Sequence, residues 1–144
     1  MRVKLFLQIL IMLTLTVIGP RSYAETVSST ELINYAKQYD GKVVTYRGEA
    51  VGDIMRRQDY AWINLNDGFT AIGVWVKRNE LGVISYLGSY RAKGDIIEVT
   101  GIFKRNCPEH GGDLDIHAQE IKKVVAGAPS SNQLSTKKFY LGLC

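Results

Sequence analysis

Cysteine and histidine are scarce in this 144-residue sequence, with two of each, and proline occurs three times. No phosphate-binding loop, nucleophile motif or metalloprotease helix motif is present, which removes the usual signatures of nucleotide hydrolases, acyl-transfer enzymes and zinc proteases. A second Cys/His pair of the kind that completes a four-ligand zinc site is also missing. The longest apolar run, Leu5 to Ile18, stops at Gly19-Pro20, short of the roughly 20 residues that cross a bilayer core. No cysteine follows that run closely, so a bacterial lipoprotein anchor is not indicated, and no internal repeat is visible.

What the N-terminus does contain is an export pattern. Arg2 and Lys4 precede the apolar run and Ser22-Tyr23-Ala24 closes it, the three parts of a secretory signal peptide, with cleavage expected after Ala24. The alternative is an uncleaved N-terminal anchor, because the motif is Ser-x-Ala rather than Ala-x-Ala; only then is a membrane partner expected. The expected address is secreted or extracytoplasmic, in a periplasm or at a cell surface. Three of the 18 basic residues (Arg2, Lys4 and Arg21) and none of the 14 acidic ones lie in this segment. The remaining chain then carries 15 basic against 14 acidic residues. The sequence pI of about 9.1 is therefore weak evidence for a polyanionic partner. The residues after Ala24 suit one domain, expected to be a monomer. Cys107 and Cys144 permit one disulfide, but Cys144 ends a tail without structural signals, which argues against it.

Ser28-Ser29-Thr30-Glu31 has the form of a capping box, and Leu32, Ile33, Ala36 and Tyr39 follow at helical spacing up to Asp40-Gly41, which predicts an N-terminal helix within residues 25–41. From Lys42 the period changes to two. A long first strand, Val43 to Arg57, is interrupted by Gly48 and Gly52, as suits a bent or bulged strand. Tyr60 to Asn66 and Thr70 to Lys77 flank Asp67-Gly68-Phe69, a strong hairpin signal. Asn79 to Lys93 is open between a short helix and an irregular crossover. A fourth strand is predicted at Ile96 to Lys104, a loop at Arg105 to Asp113 and a last strand at Leu114 to Val125. Gly127 to Asn132 reads as a linker by composition.

The runs Gly41 to Ala50, Tyr60 to Gly68 and Gly94 to Phe103 carry a resemblance: over about residues 40–126 the chain resembles the OB-fold superfamily, and more narrowly exported bacterial OB-fold proteins of uncharacterised function that look nucleic-acid-binding. The resemblance implies an all-β domain with short helices, a five-stranded Greek-key barrel over 42–126 preceded by the N-terminal helix. Proteins of this look often continue into a C-terminal membrane helix. Here the linker and tail, 127–144, end at Lys137 to Cys144, which reads either as a truncated membrane anchor or as a frayed tail. As written it does not span a bilayer.

Strand alternation puts Ala61, Ile63, Leu65, Ile72, Val74 and Val76 inside the barrel and Tyr60, Trp62, Asn64, Trp75 and Lys77 outside, on the surface where OB-folds usually bind. Aromatic rings beside amides and a cation suit stacking on bases or sugars. The competing reading is packing, with Trp62 and Trp75 covered by the N-terminal helix or the crossover. Arg56 and Arg57 at the end of the first strand and Lys104 and Arg105 at the end of the fourth, together with Arg47, are candidates for phosphate contacts. If they cluster, single-stranded nucleic acid should bind with a steep salt dependence.

The segment from Cys107 to His117 holds both histidines and the one internal cysteine. Thiolate and imidazole suit Zn²⁺ or copper, with Cys107, His110 and His117 as ligands and a carboxylate to complete the set. Asp115 and His117 are expected on the outward face of the last strand, so the imidazole would have to curl back toward the loop. The alternatives are a rigid turn shaped by Pro108 and Gly111-Gly112 and capped by Asp113, or direct ligand contact by the loop. A thiolate nucleophile with a histidine base is conceivable only in outline, and no catalysis or obligatory cofactor is expected. Three functions stay open: a module for single-stranded nucleic acid or another extended polymer, a metal or haem handling module, and a protein or glycan interaction domain of the cell envelope.

Overall fold

Period-two sequence needs strand partners, and the chain supplies them by closing its long strands on one another. The computed structural model describes residues 26–130; the export segment expected at Met1 to Ala24 and the tail at 131–144, Cys144 included, lie outside the described residues. In chain order the elements are β1 (Thr26–Val27), α1 (Ser29–Asn34), α2 (Ala36–Tyr39), β2 (Val43–Arg57), β3 (Tyr60–Asn66), β4 (Ala71–Lys77), a 3-10 segment (Arg78–Val83), β5 (Ala92–Lys93), β6 (Ile96–Cys107), a 3-10 turn (Pro108–His110), β7 (Asp113–Val125) and β8 (Ala128–Pro129). The five long strands pair in the order β2-β3-β4-β7-β6, and β6 returns to β2. Only the β4–β7 pairing among them is parallel. This is a closed five-stranded Greek-key barrel, all-β with short helices.

β2 has to serve two neighbours. Its first half pairs with β6 and its second half with β3, and at Gly48 the backbone of Asn66 comes so near that an added Cβ would lie 2.8 Å from its nitrogen. A bulge between Val51 and Met55 completes the bend. Tyr46, Ile63, Leu65, Val74, Val76, Ile97, Val99, Phe103 and Ile116 fill the interior, each aliphatic or aromatic side chain contributing about 1.5–3 kcal/mol by leaving water. The Tyr46 hydroxyl lies 3.1 Å from Leu65 O and 3.2 Å from Thr70 O, and burial pushes its phenol pKa up.

Where the spacing predicts one helix, the structure has two short ones broken at Tyr35. Such short helices are marginal alone, so docking decides their shape. Leu32 is fully buried while Ile33 is exposed. The Ser28 hydroxyl caps α1 by accepting from Glu31 N–H at 3.1 Å, and Ser29 donates its N–H and hydroxyl to the Asp67 carboxylate, both at 2.7 Å. The predicted linker also differs. Ala128–Pro129 pairs with Ala92–Lys93 and Gly127 N–H donates to Asp95 at 2.7 Å. An added Cβ at Gly127 would lie 2.3 Å from Lys93 O, so this glycine marks close approach rather than slack chain. Among the described residues no helix is long and apolar enough to cross a membrane.

Candidate functional site: an aromatic groove over a Cys/His/Asp cluster

The Asp67-Gly68 turn sets the register that builds the groove floor. It places Trp62 opposite Trp75, Tyr60 opposite Lys77 and Asn64 opposite Gly73, all on the outer face, while Ala61, Ile63, Leu65, Ile72, Val74 and Val76 are buried in the core. Gly73 is the seat of Trp62: a Cβ there would fall 1.9 Å from Trp62 Cζ2. The indole N–H donates to Asn64 Oδ1 at 3.1 Å. Tyr60 stacks on Trp75 with ring centroids 5.3 Å apart and planes 9° apart, a favourable arrangement for two π systems. Met55 and Arg57 extend the same face from β2, where they stand opposite Trp62 and Tyr60. Met55, Arg57, Trp62, Asn64 and Trp75, together with Glu109, His110 and Asp113, line an open groove of about 670 Å³, within the range of small-ligand sites, while Tyr60 and Lys77 line a neighbouring hollow.

The far wall comes from the loop between β6 and β7. Pro108 starts the 3-10 turn, and Gly111 and Gly112 take positive φ of 73° and 92°, a backbone that glycine adopts without steric cost. The turn is closed by Gly112 N–H donating to Cys107 O at 2.8 Å, not by Asp113, whose side chain lines the groove. This reversal lays His110 over the β7 face. Its ring packs edge-on to Trp62 at 5.2 Å and tilted against Trp75 at 4.5 Å. What covers the partly buried tryptophans is thus His110, a cover that strand alternation does not reveal.

Under His110 lie Cys107, Asp115 and His117. Asp115 stands beside Gly73, and His117 beside Trp75, along the parallel β4–β7 pairing. Asp115 was expected on an outward face; it faces outward from the barrel yet is fully buried, because the loop folds down over it. The imidazole of His117 has no need to curl back. His110 Nδ1 contacts Asp115 Oδ2, His117 Nε2 lies 3.4 Å from the same oxygen, and Cys107 Sγ lies 3.3 Å from His117 Nε2. Cys107 is a free, buried thiol. Burial pushes its pKa up, the Glu109 N–H pulls against that, and the Asp115 carboxylate adds to the rise, with a lesser opposing pull from the His110 N–H. An activated nucleophile needs the opposite shift. Its histidine neighbour also meets thiol and carboxylate through one nitrogen, whereas an oriented base uses two.

The cations singled out in the sequence divide between this face and the rest of the barrel. Arg57 lines the groove and Lys77 is exposed opposite Tyr60. Arg56 is in register with the inward-facing Ala61 and so alternates to the other side of β2. Arg47 pairs with Glu98 at 2.5 Å on the β2–β6–β7 side, where Lys122 reaches the same carboxylate at 2.7 Å. These two cations hold the Glu98 carboxyl below the usual range. Arg105 pairs with Asp40 after α2 at 3.3 Å, whereas Lys104 is in register with Asp115 and so lies on the same outer face as the site. Met55, Gly73 and Glu109 were not singled out. Gly73 was legible in principle, since the hairpin register puts it across from Asn64; Met55 and Glu109 depend on the strand bend and the loop path.

No family model and no curated protein matches the sequence. Among solved structures, a putative aspartyl-tRNA synthetase from Leishmania major Friedlin superposes with a TM-score of 0.51 at 15% identity, over 78% of this chain and 22% of its own. The fold is an OB-fold. Asparaginyl-tRNA synthetase from Pyrococcus horikoshii, complexed with asparaginyl-adenylate, gives 0.48 at 22% identity over 69% of this chain and 22% of its own. The hypothetical protein ygiW from E. coli gives 0.47 at 21% identity, over 74% and 95%. This OB-fold chain thus spans about a fifth of the length of the synthetases, and the likeness is one of fold.

Proposed function

We propose that this chain is an exported OB-fold binding module that holds single-stranded nucleic acid, or a polymer with similar flat rings, in the groove over β3 and β4. The observation that carries the reading is the pair of indoles lining one groove, Trp75 backed by Tyr60 and Trp62 seated on Gly73. Stacking contributes about 1–3 kcal/mol per base. Phosphate contacts contribute little, because Arg47 and Arg105 are engaged elsewhere and the groove also holds the carboxyl groups of Glu109 and Asp113. The steep salt dependence expected from clustered cations gives way to a shallow one. With one to three contacts, from Arg57, Lys77 and Lys104, the slope of log K against log salt is about −0.7 to −2.1.

The test is fluorescence anisotropy with a labelled oligonucleotide across a salt series, on the wild type and on Trp75→Ala. The reading requires the shallow slope and a roughly 5- to 150-fold loss in the variant, the equivalent of one stacked base. A slope steeper than about −3, or an unchanged Kd for a folded Trp75→Ala, refutes it. The two groove carboxyl groups favour a second reading, an oligosaccharide whose hydroxyls they accept. A glycan series in the same assay decides between them.

A further inference from the structure

Beneath the groove, Cys107, His110, Asp115 and His117 bring four donor atoms of metal-ligating type within 4.8 Å of one another. We propose that these four residues form a closed, four-coordinate site for a divalent ion of borderline softness, Zn²⁺ in the first place, and that the ion fixes the His110 wall of the groove. The proposal stands apart from the choice of polymer in the groove.

Geometry supports it first. Two separations, 3.3 Å from Cys107 Sγ to His117 Nε2 and 3.4 Å from His117 Nε2 to Asp115 Oδ2, match the about 3.3–3.6 Å between donors around tetrahedral zinc, whose bonds are about 2.0–2.3 Å long, while His110 Nδ1, in direct contact with Asp115 Oδ2, has to draw back as the ion enters. Donor chemistry agrees. One sulfur, two imidazole nitrogens and one carboxylate oxygen suit zinc far better than magnesium or calcium, which take oxygen sets.

Charge gives the third argument. A thiolate and a carboxylate supply two negative charges and the neutral imidazoles none, so a divalent ion leaves the centre neutral. Neutrality matters because Cys107 is 1% exposed and Asp115 0%, and an unpaired buried charge is expensive. Asp115 Oδ1 is buried with no hydrogen-bond partner, which native interiors rarely leave; a cation bound at this carboxylate offsets the charge that Oδ1 shares. On binding, the Cys107 thiol releases its proton to solvent and the thiolate sulfur donates to the ion; nothing is oxidised or reduced. Four protein ligands leave no open position, which makes the site structural. Since His110 also packs on Trp62 and Trp75, the ion tethers the Cys107 to Asp113 loop at the groove edge.

The test uses the full chain made without a histidine tag, stripped of metal, then titrated with Co²⁺ and with Zn²⁺. The expected result is one ion per chain. Co²⁺ should give a thiolate charge-transfer band and the strong visible bands of a four-coordinate ion, both removed by Zn²⁺, and Zn²⁺ should raise the melting temperature. Cys107→Ser should abolish the charge-transfer band, Cys144→Ser should keep it, and Asp115→Asn or His117→Gln should weaken binding by about tenfold or more. A six-coordinate, thiolate-free cobalt spectrum in the wild type overturns the proposal without reference to any variant. So does a charge-transfer band that survives Cys107→Ser or disappears with Cys144→Ser. Oligonucleotide affinity on the same samples separates the two readings: a site that fills in a protein that binds no oligonucleotide supports the metal site and counts only against the groove.

Discussion

Gly73→Ala places one methyl group under the groove and leaves the barrel interior alone. Its Cβ would lie 1.9 Å from Trp62 Cζ2 and 2.6 Å from two more atoms of the same ring, where carbon atoms need about 3.5–4.0 Å. The indole therefore has to lift by about 1.5–2 Å. Lifting it breaks the 3.1 Å bond to Asn64 and disturbs the edge contact with His110. The neighbouring Ile72 and Val74 point inward and stay packed. The expected cost in stability is that of modest overpacking, about 1–3 kcal/mol, so the domain stays folded. The expected cost in binding is one stacked ring, about 1–3 kcal/mol or roughly 5- to 150-fold in Kd. Anisotropy with the labelled oligonucleotide reads the affinity, tryptophan emission reads the shift of Trp62, and a urea titration reads the stability. Wild-type affinity with altered emission would show that the Trp62 surface takes no part in binding. Unchanged emission would refute the seat itself.

Two further predictions concern the hinges of the fold. Asp95 is fully buried and accepts from Ser85 N–H at 2.5 Å, Tyr86 N–H at 3.0 Å and Gly127 N–H at 2.7 Å, with Lys123 Nζ at 3.1 Å. Removing it in Asp95→Ala orphans these donors, so a loss of about 3–5 kcal/mol is expected, or on the order of 15–30 °C in Tm by calorimetry. Burial pushes the Asp95 pKa up, but these N–H groups and Lys123 outweigh it and hold the carboxyl well below its ordinary 3.8. A depressed folded pKa means stability that is complete above about pH 4 and drains away as pH falls below that. The wild type should therefore lose more stability than Asp95→Ala between pH 5 and 2, and parallel acid curves would contradict this. Asp67→Ala removes the acceptor for Ser29 and for the Phe69 and Thr70 N–H groups. It should cost about 2–3 kcal/mol and raise amide exchange across α1 before the barrel strands exchange, and uniform exchange would show that Asp67 does not hold α1 to the barrel separately.

The strand pattern was legible because alternation is a local property. Val43 to Arg57 and Tyr60 to Asn66 were read with the bounds the structure shows, and the Asp67-Gly68 turn sets the register between β3 and β4. Tyr60, Trp62 and Trp75 on one face follow from that alone. Boundaries that depend on distant partners shifted. β6 runs on to Cys107 because β7 is there to pair with it, the helix breaks at Tyr35 so that Leu32 from one piece and Ala36 and Tyr39 from the other reach the core, and the segment after Val125 pairs with β5.

Sequence by itself determined the barrel's alphabet: which residues alternate, where the chain turns, and that one sulfur and two imidazoles lie within eleven residues of each other. Only the tertiary structure decided what these become. The closing of β4 against β7 set Asp115 beside Gly73 and His117 beside Trp75, residues about forty positions apart whose meeting no local period encodes. The loop's reversal then buried a carboxylate that alternation had placed in solvent, because burial is set by what folds over a face and alternation fixes only the direction in which a side chain points.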